Sequence, residues 1–315
     1  MIVQDKFIMF RNRLEKVFRH RSKIARRQGI DCYRLYDRDL PEFPLIIDVY
    51  GSSANVSEYQ SRHSLSEDDY DIWLESSLQI TAGVLDFPLE RVFCKRRQRK
   101  ADRQSQYQRA ASEHQEFEVK EAGLTFIVNL SDYLDTGLFP DHRITRGMVR
   151  DLSAGKKVLN LFCYTGAFSV YAAAGGAIET VSVDLSNTYT EWTKRNLLRN
   201  GFDLSAHQVV KADVLQFLPQ CADASYDLIV LDPPSFSNSK MMKEFLDIQR
   251  DHVLLVNTCL SKLKPGGWLF FSNNLRHFQL DREAIRSERI EDITRQTTPF
   301  DFEGKLFRWC YRIQR

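Results

Sequence analysis

From about residue 145 onward, apolar runs and amphipathic stretches take turns along the chain. Five apolar runs, starting near residues 157, 179, 206, 226 and 267, have the length and composition of buried strands, and the segments between them have helical spacing. The longest helical segment is Met241 to Leu263, which Lys264-Pro265-Gly266-Gly267 ends with a turn. This alternation predicts an α/β fold, a doubly wound sheet with helices on both faces. Upstream the pattern differs. Apolar positions Phe7, Phe10, Leu14, Val17, Phe18 and Ile24 form one stripe of a helix over about residues 5 to 28, ending at Gly29. Short β runs at Leu45 to Val49 and Asn55 to Tyr59 precede a helical stretch at Asp69 to Ala82. Strands follow near Arg91 to Lys95, Gln115 to Lys120 and Leu124 to Asn129, the last two joined as a hairpin by Glu121-Ala122-Gly123. The expected segments are therefore a helix within 1–40, a small α+β domain over 41–144 and the doubly wound domain over 145–315.

Net charge changes this picture only when it is mapped. The total is +2, yet residues 11–27 carry eight Lys or Arg against Glu15, and residues 91–109 carry eight against Asp102. Such runs are either a solvated helix face plus a loop or the footprint of a phosphate backbone, and two in one N-terminal segment favour RNA. The six cysteines are scattered without a C-x-x-C pair, so no metal site and no disulfide framework is expected. No apolar run approaches the roughly 20 residues of a membrane span, and Met1 to Phe10 lacks a signal-peptide core. A cytoplasmic protein with no membrane partner is the expectation.

The candidate chemistry lies in the doubly wound part. Residues 226–240 run Tyr-Asp-Leu-Ile-Val-Leu-Asp-Pro-Pro-Ser-Phe-Ser-Asn-Ser-Lys, a buried strand ending on Asp232, two prolines and Phe236. The prolines stiffen the turn, so it either grips a flat ring, with Asp232 and Pro233 at its edge and Phe236 on its face, or simply stops the strand. Upstream, Lys157 to Leu161 runs through Phe162-Cys163-Tyr164-Thr165-Gly166 into a small-residue helix, and Thr180 to Asp184 is a second strand ending in an acid. This is the order of a nucleotide-binding βαβ unit whose acid takes the ribose hydroxyls. With one Gly in the turn there is little provision for a pyrophosphate. A nucleoside without phosphates fits better, with Asp213 at the end of the next strand placed to meet an adenine amino group.

Asn160-Leu-Phe-Cys-Tyr-Thr-Gly-Ala-Phe-Ser169, Val183-Asp-Leu-Ser-Asn-Thr-Tyr189, Asp232-Pro-Pro-Ser-Phe-Ser-Asn-Ser-Lys240, Asp247-Ile-Gln-Arg-Asp-His252 and Phe271-Ser-Asn-Asn274 resemble the class I S-adenosylmethionine methyltransferases of large-subunit ribosomal RNA. Within them the chain is most similar to the 7-methylguanine-forming half of the bifunctional 23S rRNA enzymes. Gly29 to Asp37 and Asp132 to Arg143 extend the likeness over nearly the whole chain. The resemblance implies a Rossmann-like class I methyltransferase fold, α/β with a seven-stranded doubly wound sheet whose Leu306 to Ile313 strand returns antiparallel, beside a smaller N-terminal α+β RNA-binding domain. It implies S-adenosyl-L-methionine as cofactor, leaving as S-adenosyl-L-homocysteine. The cofactor contacts it implies come from Phe139, Asp141, Arg143, Asn160, Phe162, Tyr164, Thr165, Gly166, Asp184, Leu185, Ser186, Asp213, Val214 and Asp232. Of these, Arg143 is expected at the cofactor carboxylate or in a surface salt bridge, and Phe162 and Tyr164 either wall the pocket or pack. The implied partner is 23S rRNA or its precursor, not DNA, with a separate protein standing in for the missing half.

Transfer to cytosine C5 needs a cysteine nucleophile beside the cofactor, and neither 232–235 nor 271–274 contains one. Cys163 and Cys259 read as packing residues. An exocyclic amine must lose a proton, whereas guanine N7 offers a bare lone pair and needs only positioning. Asp232, Asn273 and Asn274 are the polar groups expected around that base, and Phe236 the stacking partner. Arg250 and His252 suit a solvated helix face. Two alternatives stay open: methylation of the guanine exocyclic amine N2, and a cofactor-binding RNA module with little activity.

Overall fold

The computed structural model describes residues 4–58, 66–96, 116–132, 135–237, 246–305 and 308–315. Outside them lie the basic run from Arg97 to Arg109, Asn238-Ser239-Lys240, and the expected strand and helix starts at Gln115, Met241 and Leu306. The chain forms two compact units, Met1–Pro140 and Asp141–Arg315.

The N-terminal unit opens with α1 (Gln4–Gln28), followed by β1 (Cys32–Asp37), β2 (Leu45–Tyr50), β3 (Ser53–Glu58), α2 (Glu67–Leu85), β4 (Val92–Arg96), β5 (Glu116–Glu121) and β6 (Leu124–Asn129). Strands β1 to β4 make one sheet in chain order, antiparallel except for the β3–β4 pair that α2 connects. Strands β5 and β6 form the expected hairpin. Helix α1 buries Phe10, Leu14, Val17 and Ala25, and Phe10 stacks on Phe43 with ring centres 4.3 Å apart. Phe7, Phe18 and Ile24 are half-buried at the edges of that stripe. Several of the helix's cations serve the unit itself: Arg21 donates to the Arg34 and Leu35 carbonyls, Arg13 pairs with Asp39, and Lys6 pairs with Glu42. Lys16, Arg19, Lys23, Arg26 and Arg27 face solvent.

Strand β1 is not among the expected strands, although Cys32, Tyr33, Leu35 and Tyr36 are all buried. Its Arg34 holds Asp48 of β2 through Nε and Nη2 and Asp37 through Nη1, a charged triad within an otherwise apolar strand.

The C-terminal unit runs α3 (Arg143–Leu152), β7 (Lys157–Leu161), α4 (Ala167–Ala174), β8 (Glu179–Asp184), α5 (Asn187–Arg199), β9 (His207–Lys211), α6 (Val214–Gln220), β10 (Tyr226–Leu231), β11 (Phe236–Ser237), β12 (Leu246–Asp247), α7 (Ile248–Lys262), β13 (Leu263–Asn273), β14 (Arg289–Asp292) and β15 (Trp309–Gln314). Seven strands form one sheet in the order β14-β15-β13-β10-β7-β8-β9. The last five of that order are parallel, and β15 runs antiparallel to both its neighbours. Alternate strand residues feed opposite cores. Leu159, Leu161, Ile229, Leu231 and Phe271 pack with Val214 and Leu218 of α6 and Val256 of α7. Val158, Leu228, Val230 and Phe270 pack with Val149 of α3 and Phe168 of α4.

Two boundaries need correction. Helix α7 starts at Ile248 because Leu246–Asp247 pairs with Phe236–Ser237 and the Asp247 side chain caps the helix. The Lys264–Gly267 turn lies within β13: Leu263 already pairs with Tyr226, and pairing resumes at Trp268 with Leu228, so four residues bulge out. Strand β14, four half-exposed or exposed residues at the sheet edge, has no apolar run to read.

Helix α4 is held close to α3 at Gly175, where an added Cβ would lie 2.1 Å from the Arg150 carbonyl oxygen. That atom belongs to backbone, so Gly175→Ala must part the two helices. We expect a loss of about 1–3 kcal/mol in urea unfolding with an unchanged m-value; wild-type stability would show that the approach is slack.

Candidate active site

In an open parallel sheet, ligands bind beyond the strand carboxyl ends where the winding reverses. Here β8 and β9 lie on one side of β7 and β10 and β13 on the other, which places the reversal between β7 and β10. Of the expected acids, Asp232 follows β10 at the reversal, while Asp184 ends β8 and Asp213 follows β9 on the far side of β7.

The turn after β7 is bent by three residues at positive φ, Phe162 (55°), Tyr164 (52°) and Gly166 (76°). Only glycine adopts that region freely, so Phe162 and Tyr164 are held there by their surroundings. Cys163 N–H donates to the Val183 carbonyl (3.0 Å), and Tyr164 N–H donates to Asp184 Oδ2 (3.0 Å). Helix α5 grips the turn from the other side, with Thr193 Oγ1 donating to the Tyr164 carbonyl and Asn196 Nδ2 to the Thr165 carbonyl, each at 2.9 Å. A Cβ on Gly166 would stand 2.3 Å from Thr193 Cγ2, so Gly166 is required by space as well as by φ. Tyr164 meets Tyr189 edge-on at 4.6 Å, and Phe162 packs against the α6–α7 core.

Asp184 ends β8. Its Oδ1 accepts Ser186 N–H (2.9 Å) and its Oδ2 accepts Tyr164 N–H. Burial raises its carboxyl above the usual range, and the backbone N–H groups of Ser186, Tyr164 and Leu185 oppose the shift. Ser186 in turn caps α5. A carboxylate oxygen accepts more than one hydrogen bond, so the two oxygens keep room for a ribose diol. Asp213 caps α6 by accepting Leu215 N–H through Oδ1 (3.0 Å), and Val214 is buried in the core beneath it. With one glycine, two acids and no second glycine for a pyrophosphate, the donor and acceptor set fits S-adenosylmethionine. Asp184, Asp213 and the 162–166 turn are the residues that would hold it.

Asp232 ends β10. Ser272 Oγ donates to its Oδ1 at 2.6 Å, and His142 Nε2 lies 3.7 Å from its Oδ2. Pro233 is buried and Phe236 is 55% exposed, an uncommon state for a large aromatic. Asn273 is buried at the end of β13, with Oδ1 accepting Leu275 N–H (3.1 Å). Neighbouring Asn274 accepts Ser235 Oγ–H, which ties the β13 end to the turn after β10.

Two expected cofactor contacts, Arg143 and Asn160, have protein partners, and His252 is not on a solvated face. Arg143 is buried and forms a two-pronged pair with Asp301 (2.8 and 3.0 Å), which takes the fork intended for a cofactor carboxylate and also excludes a surface salt bridge. Asn160 donates to Ser169 Oγ (2.9 Å), itself paired with Ser182 Oγ (2.7 Å), so it serves sheet–helix packing. His252 is buried rather than solvated: Nδ1 lies on the Gln249 carbonyl and Nε2 accepts Asp281 N–H. Asp141 adjoins Arg308, which donates to its carbonyl at 2.8 Å, and Phe139 is 41% exposed in the N-terminal unit. Sequence reasoning passes over Ser272 and His142, whose common partner Asp232 is far away in the chain.

A doubly wound seven-stranded sheet with acids at the β8, β9 and β10 ends is the Rossmann-like fold of class I methyltransferases. The family model for S-adenosylmethionine-dependent methyltransferases matches residues 90–296. Over 307 residues the chain is 46% identical to ribosomal RNA large subunit methyltransferase K of Neisseria meningitidis serogroup B, covering 97% of this chain and 86% of that one. It is 47% identical over 294 residues to methyltransferase K/L of Pseudomonas putida GB-1, covering 93% of this chain and 40% of that one. The solved structure of SMU.776, a candidate methyltransferase complexed with SAH, superposes with a TM-score of 0.76 at 25% identity, covering 98% of this chain and 82% of that one. The chain belongs to the S-adenosylmethionine-dependent methyltransferase family.

If Asp184 takes the ribose, Asp184→Ala weakens cofactor binding by about 1.5–3 kcal/mol in calorimetry, the cost of hydrogen bonds to a charged group. Equal affinity would remove the acid from the site.

Proposed function

We propose that this chain methylates guanine N7 in the ribosomal RNA of the large subunit. The substrate class is supported by the activities for which the K and K/L relatives are named. The choice of N7 over N2 rests on the likeness of Asp232 to Lys240 to the 7-methylguanine-forming enzymes, while ring-carbon transfer is disfavoured because Asp232, Ser272, Asn273, Asn274 and Phe236 bring no thiol. Cys163, Cys259 and Cys310 are buried, and burial pushes each thiol up, Cys310 to about 11. None is suited to attack a ring carbon at neutral pH.

S-adenosylmethionine supplies an electrophilic methyl on a sulfonium. That methyl would pass to the N7 lone pair, the carbon–sulfur electron pair would stay on sulfur, and no proton would have to leave the base. The residues therefore have to orient the base rather than deprotonate it. In this reading Phe236 stacks on the purine, and Asp232 accepts from its donor edge. The base must leave its stack first, at a cost of a few kcal/mol. The exposed cations of α1 supply part of the compensating attraction to phosphate.

An N7-methylated guanosine carries a positive charge, so borohydride followed by aniline should cut the product RNA at that residue. Asp232→Ala should slow turnover by on the order of a hundredfold through misplacement of the base, while changing every Cys to Ser should leave it largely intact. Uncut RNA with the label in N2-methylguanosine would move the assignment to the exocyclic amine, where Asp232 would accept the departing proton. Cofactor binding without turnover on any large-subunit RNA would mark a binding module.

Changing Lys16, Arg19 and Lys23 together to Ala tests the helix. Each cation–phosphate pairing removed should lower the magnitude of the log–log salt slope by roughly 0.7–0.9; an unchanged slope would take α1 out of the interface.

A further inference from the structure

We propose that His142 is a positioning residue for Asp232, its Nε2–H turning the carboxylate toward the base; this rests on the role given to Asp232 above. Ser272 fixes only one oxygen of that carboxylate, by the 2.6 Å bond to Oδ1. A single bond leaves the carboxylate plane free to rotate, and a donor on Oδ2 removes that freedom. The group beside Oδ2 is His142 Nε2, at 3.7 Å. The same nitrogen is 3.8 Å from Asp141 Oδ2.

The ring is unusually well held for such a part. It is 7% exposed and meets Phe168 edge-on at 5.6 Å. Buried arginines pin the backbone on both sides: Arg308 donates to the Asp141 carbonyl at 2.8 Å, and Arg143 is locked on Asp301. Nδ1 is buried and has no hydrogen-bond partner among the described residues, whereas Nε2 faces two carboxylates. The proton therefore belongs on Nε2, and burial, aided by Arg308 and Arg146 and opposed by Asp232 and Asp141, holds the ring neutral at pH 7. The result is a fixed neutral donor beside an anion. At 3.7 Å the contact is longer than a hydrogen bond; contacts of this kind tighten in the substrate complex.

The side chains of Gln and Asn separate positioning from packing. Gln can place an amide nitrogen near the Nε2 position, whereas Asn reaches only as far as Nδ1. With RNA and cofactor saturating, His142→Asn and His142→Leu should lower kcat roughly 10- to 100-fold, leave cofactor Kd unchanged, and add no further loss in an Asp232→Ala background. His142→Gln should recover most of the rate. In the folded wild-type protein, imidazole nitrogen NMR at pH 7 should report the Nε2–H tautomer and move when Asp232 becomes Ala, which keeps the test alive where a variant does not fold. An Nδ1–H tautomer, equal losses in Gln and Asn, or a loss that persists without Asp232 would overturn the proposal. Full turnover in Asp232→Ala would overturn the role of Asp232 and with it this inference; a slow Asp232→Ala beside a fast His142→Asn would overturn this inference alone.

Discussion

A parallel strand can offer its carboxyl end to a ligand only if the chain leaves the sheet without covering that edge. At β7 this constraint falls on five residues, Phe162 to Gly166, three of them at positive φ. The strain is offset by neighbours rather than by the turn itself. The Val183 carbonyl and Asp184 carboxylate hold it from β8, and Thr193 and Asn196 hold it from α5. The acid read as a ribose ligand is thus also a structural member of the turn that shapes its pocket. Burial raises its carboxyl and those N–H bonds oppose the shift, and the oxygens that accept them can also accept from a diol.

The second half of the site is built by a different device. At β10 the prolines stiffen the turn, and the surrounding strands then orient its polar atoms: Ser272 and Asn274 reach across from β13 and the residue following it. Beyond Phe236 the chain pairs briefly, β11 with β12, before Asp247 caps α7. That short pairing anchors the backbone of an exposed aromatic. A stacking residue must be held at its Cα while its ring keeps access to solvent, and the two-residue ladder before α7 fixes that Cα.

Much of this was legible because strand ends in a parallel sheet are marked by chemistry. Apolar runs located β7, β8, β9, β10 and β13, and the acids at or after their ends located the rim. What stayed hidden had its cause elsewhere in the chain. Strand β1 was not among the expected strands: Arg34 and Asp37 interrupt its apolar residues, and their partner Asp48 lies on the next strand. Strand β14 is half exposed and four residues long. Arg143 suited a cofactor carboxylate in isolation, and only the fold brings Asp301, 158 positions later, into its fork. Asn160 was a cofactor contact only through the resemblance, and alternation along β7 turns it to α4 and Ser169.

The buried charges of the C-terminal unit follow one rule. Arg143 pairs with Asp301, while Arg308 spends its guanidinium on the Thr297 carbonyl and hydroxyl and on Asp141. These pairs are expensive to break, about 3–5 kcal/mol when one partner is removed, although they add little net stability over a well-packed apolar substitute. Their value lies in geometry. They fix residues 141 to 143 at the start of α3, and His142 within that stretch faces the Asp232 carboxylate. A loop held by water and entropy could not keep an imidazole beside Asp232 to within an ångström; a loop nailed by two buried guanidinium groups can, and catalysis by orientation demands that tolerance.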